Sequence, residues 1–122
     1  MRVTLTLIAT GRRSGKPREV ELYAFPDGDR LVIVGSRGGS PIDPRWVENL
    51  RAEPRAAIRR GDRVTTVHAR EVAGEERDRL WALVSKAFPT YLYYEGKTKR
   101  TIPIFVLDAL DDAPDRVATP LT

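Results

Sequence analysis

The chain has no cysteine, which removes disulfide frameworks, thiolate metal sites and cysteine nucleophiles together. It has one histidine, His68, so a multi-histidine zinc cage is excluded and a Ser-His-Asp site would hang on a single residue. No run of about 18 apolar residues occurs, so no membrane-spanning helix is expected. The start, Met1-Arg2-Val3-Thr4-Leu5-Thr6, lacks the charged-then-apolar pattern of a secretory signal, and a cytoplasmic location is the expectation. There is no internal repeat and no low-complexity segment. What remains is 122 residues, 41% hydrophobic and 31% charged, the profile of one compact soluble domain.

The net charge is +4, and the excess of Lys and Arg lies within residues 1–70, most densely at Arg12, Arg13, Lys16 and Arg18. Such a cluster suits an anionic partner, whether phosphate, polycarboxylate or nucleic acid. The chain is rich in arginine throughout, so composition alone equally allows a solvated basic face.

Residues Val3 to Ala9 alternate with the period of a half-buried strand. Two glycines and a proline between Thr10 and Arg18 break the pattern before a second alternating run, Glu19 to Phe25. Pro26-Asp27-Gly28-Asp29 reads as a tight turn, and the nearly continuous apolar run from Arg30 to Gly35 as a central strand covered on both faces. Asp43-Pro44 reads as the cap and first position of a helix that carries Trp46, Val47 and Leu50 on one side and ends near Pro54. A hairpin closed by Gly61-Asp62 joins Ala56–Arg59 to Arg63–Val72, and Gly74–Phe88 is an amphipathic helix. Pro89 interrupts it, an aromatic stretch Tyr91-Leu92-Tyr93-Tyr94 follows, and Ile102–Leu107 is the last strand. The fold expected is α+β: a small antiparallel split β-barrel of about six strands with two or three helices. Residues 1–108 would form it, with 109–122 as a loose acidic tail. His68 shares a strand face with Thr66 and Arg70 and reads as structural or solvent-facing.

The order of motifs carries more than any one of them. Thr10-Gly11-Arg12-Arg13-Ser14-Gly15-Lys16-Pro17-Arg18 is followed by Val34-Gly35-Ser36-Arg37-Gly38-Gly39. Then come Pro44-Arg45-Trp46-Val47-Glu48-Asn49-Leu50-Arg51-Ala52-Glu53-Pro54, Phe88-Pro89-Thr90-Tyr91 and Arg100-Thr101-Ile102-Pro103. This series resembles the deazaflavin-dependent nitroreductase family, whose members use coenzyme F420, over roughly residues 5–108. The resemblance implies a split barrel like that of the flavin-binding pyridoxamine-phosphate oxidases. It also implies an oxidoreductase that passes a hydride from reduced coenzyme F420 (8-hydroxy-5-deazaflavin) to an electron-poor small-molecule acceptor: a quinone, an enone or a nitro compound.

Under that resemblance each motif has a task. Arg12, Arg13, Ser14 and Arg18 would hold the phosphodiester and glutamate tail, because guanidinium forks match phosphate and carboxylate. Val34, Gly35, Ser36 and Arg37 would lie along the ring system, with Gly35 allowing close approach and Gly38 and Gly39 a tight turn. Arg45, Trp46 and Asn49 would complete the cofactor pocket, although Trp46 reads equally well as an ordinary core tryptophan. Asn49 within a helix calls for a hydrogen-bond partner. Tyr91 and Tyr94 would cover the ring, contact the acceptor and supply a proton donor, with simple helix-face packing as the alternative for each; Phe88 stands where relatives often carry Tyr. Two departures stand out. Relatives commonly have a longer segment ahead of the first strand, so the pocket would be more open here or completed by another subunit. Asp43 replaces a basic or amide residue, placing a carboxylate near an anionic cofactor.

Alternatives remain on residues alone. FMN has one phosphate and would leave much of the basic cluster idle, and haem would want a second histidine. A nucleic-acid module would interleave aromatics with the basic run, so no nucleic-acid partner is expected. No metal is expected either. Related barrels often pair, so a homodimer is allowed, and a cofactor binder without turnover stays open.

Overall fold

Leu5, Leu7 and Ala9 alternate with more exposed neighbours along β1 (Val3–Thr10), which sets one face of that strand against a core. The computed structural model describes residues 1–110. The expected acidic tail lies outside the described residues from Asp111 onward.

Five further strands follow: β2 (Pro17–Asp27), β3 (Arg30–Val34), β4 (Arg55–Arg60), β5 (Arg63–Glu71) and β6 (Ile104–Ala109). They close into an antiparallel barrel in the order β1-β2-β3-β6-β5-β4. The α+β barrel expected from the alternation is therefore present. Two hairpin turns form where Gly28 and Gly61 take positive φ of 66° and 63°. The last strand starts two residues later than its apolar run suggests and extends beyond Leu107. Ala109 pairs with Val67 and the Leu110 N–H donates to the Thr66 carbonyl at 3.1 Å, so the barrel reaches past residue 108.

Among the described residues three α-helices lie outside the barrel: α1 (Arg45–Ala52), α2 (Gly74–Ala87) and α3 (Thr90–Lys97). The aromatic run after Pro89 is thus itself helical, with Pro89 as its cap, a place where the missing N–H costs nothing. Asp43 does not cap α1. Pro44 occupies the cap position without a side-chain bond, and the Asp43 carboxylate is turned to Arg100 at 2.7 Å and Arg51 at 3.3 Å.

The core has two parts, as the doubly apolar β3 demands. Ile33 faces the barrel interior with Leu5, Leu7, Ile58, Val67, Phe105 and Leu107, and α1 closes that end with Trp46, Val47 and Leu50. Val32 and Val34 face outward onto Leu80, Val84 and Tyr91 of α2 and α3. No helix of the described residues is long and apolar enough to cross a membrane.

Candidate functional site

The site begins with a parting of strands. β2 is paired to β1 along Pro17–Ala24 but meets β3 only through Phe25, Pro26 and Asp27. Beyond those three rungs β3 bends to β6, pairing Ile33 with Phe105 and Val34 with Ile104, and leaves the upper length of β2 with an open edge. A groove of about 640 Å³ occupies the gap. Val20, Glu21, Leu22 and Tyr23 of β2 form one wall with Thr4. Val34, Ser36, Arg37 and Gly38 form the base, Pro44 and Trp46 one end, and Phe88, Tyr91 and Tyr94 the opposing wall.

The base is a turn of unusual hand. Arg37, Gly38 and Gly39 take φ values of 45°, 62° and 82° in succession. For a residue with a side chain such a conformation costs about 1–2 kcal/mol, so Arg37 is held there by its surroundings. Arg100 does the holding. Its Nη2 donates to the Ser36 carbonyl and its Nε to the Ser40 carbonyl, both at 2.8 Å, on either side of the turn. Its Nη1 donates to Asp43 at 2.7 Å, and the side chain is only 14% exposed. Gly39 is fixed by space as well as dihedral, since a Cβ there would sit 3.0 Å from the Tyr94 carbonyl oxygen.

The small size of Gly35 serves the packing of its neighbours. A Cβ on it would lie 2.8 Å from Val47 Cγ2 and 3.0 Å from Pro103 Cγ, and its N–H donates to the Pro103 carbonyl at 2.8 Å. The missing side chain lets α1 and the entry to β6 pack on β3.

The basic loop between β1 and β2 is docked on α1. The Arg12 N–H donates to Asn49 Oδ1 at 3.0 Å, which is the partner Asn49 needed. The Arg12 side chain meets Glu48 at 2.6 Å, and Ser14 Oγ accepts from Arg18 at 3.2 Å and from the Lys16 N–H at 3.1 Å. The Arg12–Glu48 pair is about half exposed on each side and weakly held. Arg13 has no ion-pair partner among the described residues. Arg12, Arg13, Arg18 and Arg45 are all exposed and lie outside the groove's lining.

At the other end the rings interlock. Phe88 and Tyr91 meet edge to face at 4.8 Å, and Tyr91 also contacts Phe25, Trp81 and Tyr94. Burial pushes the Tyr91 phenol above its ordinary value; Tyr94 adds to the rise and Arg2 opposes it. Arg2 lies over the Tyr23 ring at 4.5 Å and the Phe88 ring at 5.0 Å, at the mouth beside Tyr91.

Of the residues singled out by sequence, the groove brings together Val34, Ser36, Arg37, Trp46, Tyr91 and Tyr94. It leaves Gly35 in packing, Asn49 on the loop, and Arg12, Arg13, Ser14, Arg18 and Arg45 on a neighbouring surface. The carboxylate of Asp43 is neutralised by Arg100 and Arg51, which removes the conflict it posed. His68 is exposed on β5. Sequence reasoning passed over Arg100, Arg2 and the β2 wall. Arg100 stood in a quoted motif, but nothing local marks a side chain whose partners lie 57 to 64 residues away.

The residues present suit a long, flat ligand with an anionic end: α1 contributes Trp46 to an aromatic-walled slot and also docks a loop of exposed arginines. Comparison with known proteins agrees. The family described as F420H(2)-dependent quinone reductase matches residues 1–109. An F420H(2)-dependent quinone reductase of Mycobacterium tuberculosis is 37% identical over 107 residues, covering 85% of this chain and 72% of the relative. A solved F420-H2 dependent reductase superposes with a TM-score of 0.78 at 38% identity, covering 86% of this chain and 93% of that one. A structure described as a domain-swapped dimer gives a TM-score of 0.79 at 38% identity over 86% of this chain and 79% of its own.

Proposed function

The chain belongs to the F420H(2)-dependent quinone reductase family, and from that premise we infer how its own residues carry out the reaction. It is an oxidoreductase: a hydride passes from reduced coenzyme F420 to a quinone, and one proton completes the hydroquinone. When bound, the cofactor supplies the hydride. The protein supplies position, charge and shape.

The observation that carries this reading is the groove where β2 parts from β3, aromatic on one wall, with Arg37 at its base and the basic loop docked on α1, the helix whose Trp46 lines it. Arg12, Arg13 and Arg18 are the anchors for the polyanionic tail; their exposure and the backbone tie to Asn49 support this. Ser36, Arg37 and Gly38 would hold the flat ring system from the groove's base, together with Val34 and Trp46. Phe88, Tyr91 and Tyr94 exclude water from one face and stack on the acceptor.

Tyr91 is the hydrogen-bond donor to the acceptor oxygen. A phenol whose pKa is raised by burial stays neutral throughout the working range, so it steadies the oxygen without surrendering its proton. The proton then comes from water at the open side. Arg2, held over Tyr23 and Phe88, offsets the negative charge that gathers on that oxygen. Electron-poor enones and nitro compounds meet the same requirements and extend the acceptor class. Pairing with a second copy is supported by the relative described as a domain-swapped dimer.

The test is fluorescence titration with oxidised F420 and, separately, FMN. Saturable quenching by F420, weakened by salt and abolished in Arg12→Ala/Arg18→Ala without loss of folding, is the expected result. Undiminished affinity in that double variant would move the anchor elsewhere.

A further inference from the structure

A second hollow lies at the other end of the barrel, away from α1 and the basic loop. Because every neighbouring pair of strands is antiparallel, the β2–β3 and β4–β5 turns come together there. Between them opens a cavity of about 340 Å³. Its floor is Leu31, Ile58, Val67 and Leu107, the lowest layer of the barrel core. Among the described residues its rim carries Arg30, Arg60 and Arg63 against a single carboxylate, Asp29. None of these residues lines the groove where reduction takes place.

The three arginines differ. Arg30 is committed to Asp27 at 3.0 Å and approaches Asp108 at 3.9 Å. Arg60 and Arg63 have no ion-pair partner among the described residues, and they face each other directly as the last rung of the β4–β5 hairpin. Like charges in directly opposed positions lower stability. On the same two strands Arg59 is paired with Glu19 and Arg70 with Glu76, while Arg55, at the far end of β4, stands alone without an ion-pair partner among the described residues. Among the described residues, the two directly opposed arginines without a partner thus sit together at the mouth of an apolar hollow.

We propose that this hollow binds an amphiphilic anion. A carboxylate or phosphate head is held between Arg60 and Arg63, and an aliphatic chain lies on Leu31, Ile58, Val67 and Leu107. Guanidinium forks take either head group, and bringing one anion between the two cations removes their mutual repulsion. The cavity is near the lower limit of small-molecule sites, which favours a medium-length chain over a ring system.

The probes are decanoate and decyl phosphate, with decyltrimethylammonium as the control of opposite charge, each kept below its micelle-forming concentration. Binding is followed by NMR of the full-length protein. Saturable shifts at Ile58, Val67 and Leu107 with the anions and none with the cation are expected. The stronger of the two anions identifies the head group. Arg60→Gln/Arg63→Gln weakens binding at least about tenfold, the loss of one charged hydrogen bond. Quinone reduction by that variant stays at the wild-type rate, which separates this site from the groove. Absence of shifts at those three residues, equal shifts with the cationic probe, or undiminished binding in the double variant overturns the proposal.

Discussion

Replacing Arg100 with alanine removes the clamp on the left-handed turn, and its cost follows from three bonds. Two run to the carbonyls of Ser36 and Ser40 at 2.8 Å, and one to Asp43 at 2.7 Å, from side chains 14% and 21% exposed. A hydrogen bond with one charged partner contributes about 1.5–3 kcal/mol net, and breaking a largely buried ion pair costs about 3–5 kcal/mol. Water reaches part of the vacated space and Asp43 keeps Arg51, so the bonds do not add in full. The expected destabilisation is about 3–5 kcal/mol. For a domain of this size that lowers Tm by roughly 10–20 °C. Arg100→Lys keeps the charge but loses the fork, and recovers roughly a third. Asp43→Asn leaves both carbonyl bonds in place and costs less than Arg100→Ala. Urea unfolding of the four proteins measures the stabilities, and F420 titration reports on the turn itself. A loss below about 1 kcal/mol for Arg100→Ala, or a lysine variant equal to wild type, would refute the reasoning.

Gly39→Ala should cost about 2–4 kcal/mol, because its φ of 82° and the Tyr94 carbonyl at 3.0 Å penalise a Cβ together. Gly38→Ala meets only open space at φ 62° and should cost about 1 kcal/mol; equal losses by thermal melt would contradict the packing argument. Tyr91→Phe should lower kcat roughly tenfold, the worth of one hydrogen bond to a charged oxygen, while leaving the pH–rate profile unchanged up to pH 9 or so. A limb that disappears with the hydroxyl would mean Tyr91 transfers its proton. Arg79, and after it Arg30, hold the Asp27 carboxyl down to about 2 from the ordinary 3.8. That stabilisation is complete above 3.8 and is lost as pH falls toward 2. With solvent screening at the Arg79 side it amounts to on the order of 1 kcal/mol, so Asp27→Asn should flatten the acid limb of a stability-versus-pH curve by that much.

The parts legible in the sequence are those whose signal is local. Alternation in Val3–Ala9, the turns at Gly28 and Gly61, and the apolar stripe of Trp46, Val47 and Leu50 each depend on neighbours within a few residues. The run Arg30–Gly35 even announced a strand covered on both faces. What stayed hidden depends on register and on distant partners. Nothing in Glu19–Phe25 says that β2 meets β3 through three rungs only, yet that fact makes the groove. Asp43 looked like a helix cap because Asp before Pro often is one; the guanidinium that claims it lies 57 residues on. Gly35 looked like a cradle because small residues serve close approach of any kind, and only the positions of Val47 and Pro103 decide which kind. The helix α3 was obscured by its density of aromatics, which suit strand and helix alike.

A barrel fastened between two of its staves by Phe25, Pro26 and Asp27 alone behaves as a ring with a short clasp. Widening the slot above that clasp breaks no backbone rung, since none joins β2 to β3 there. The interior layer of Leu5, Leu7, Ile33 and Phe105 packs as part of one buried cluster and does not depend on rungs at the slot. Acceptors of different girth should then be accommodated through the wall's architecture as well as through the side chains that touch them. Amides along the open edge of β2 should exchange with solvent well ahead of those in the clasp.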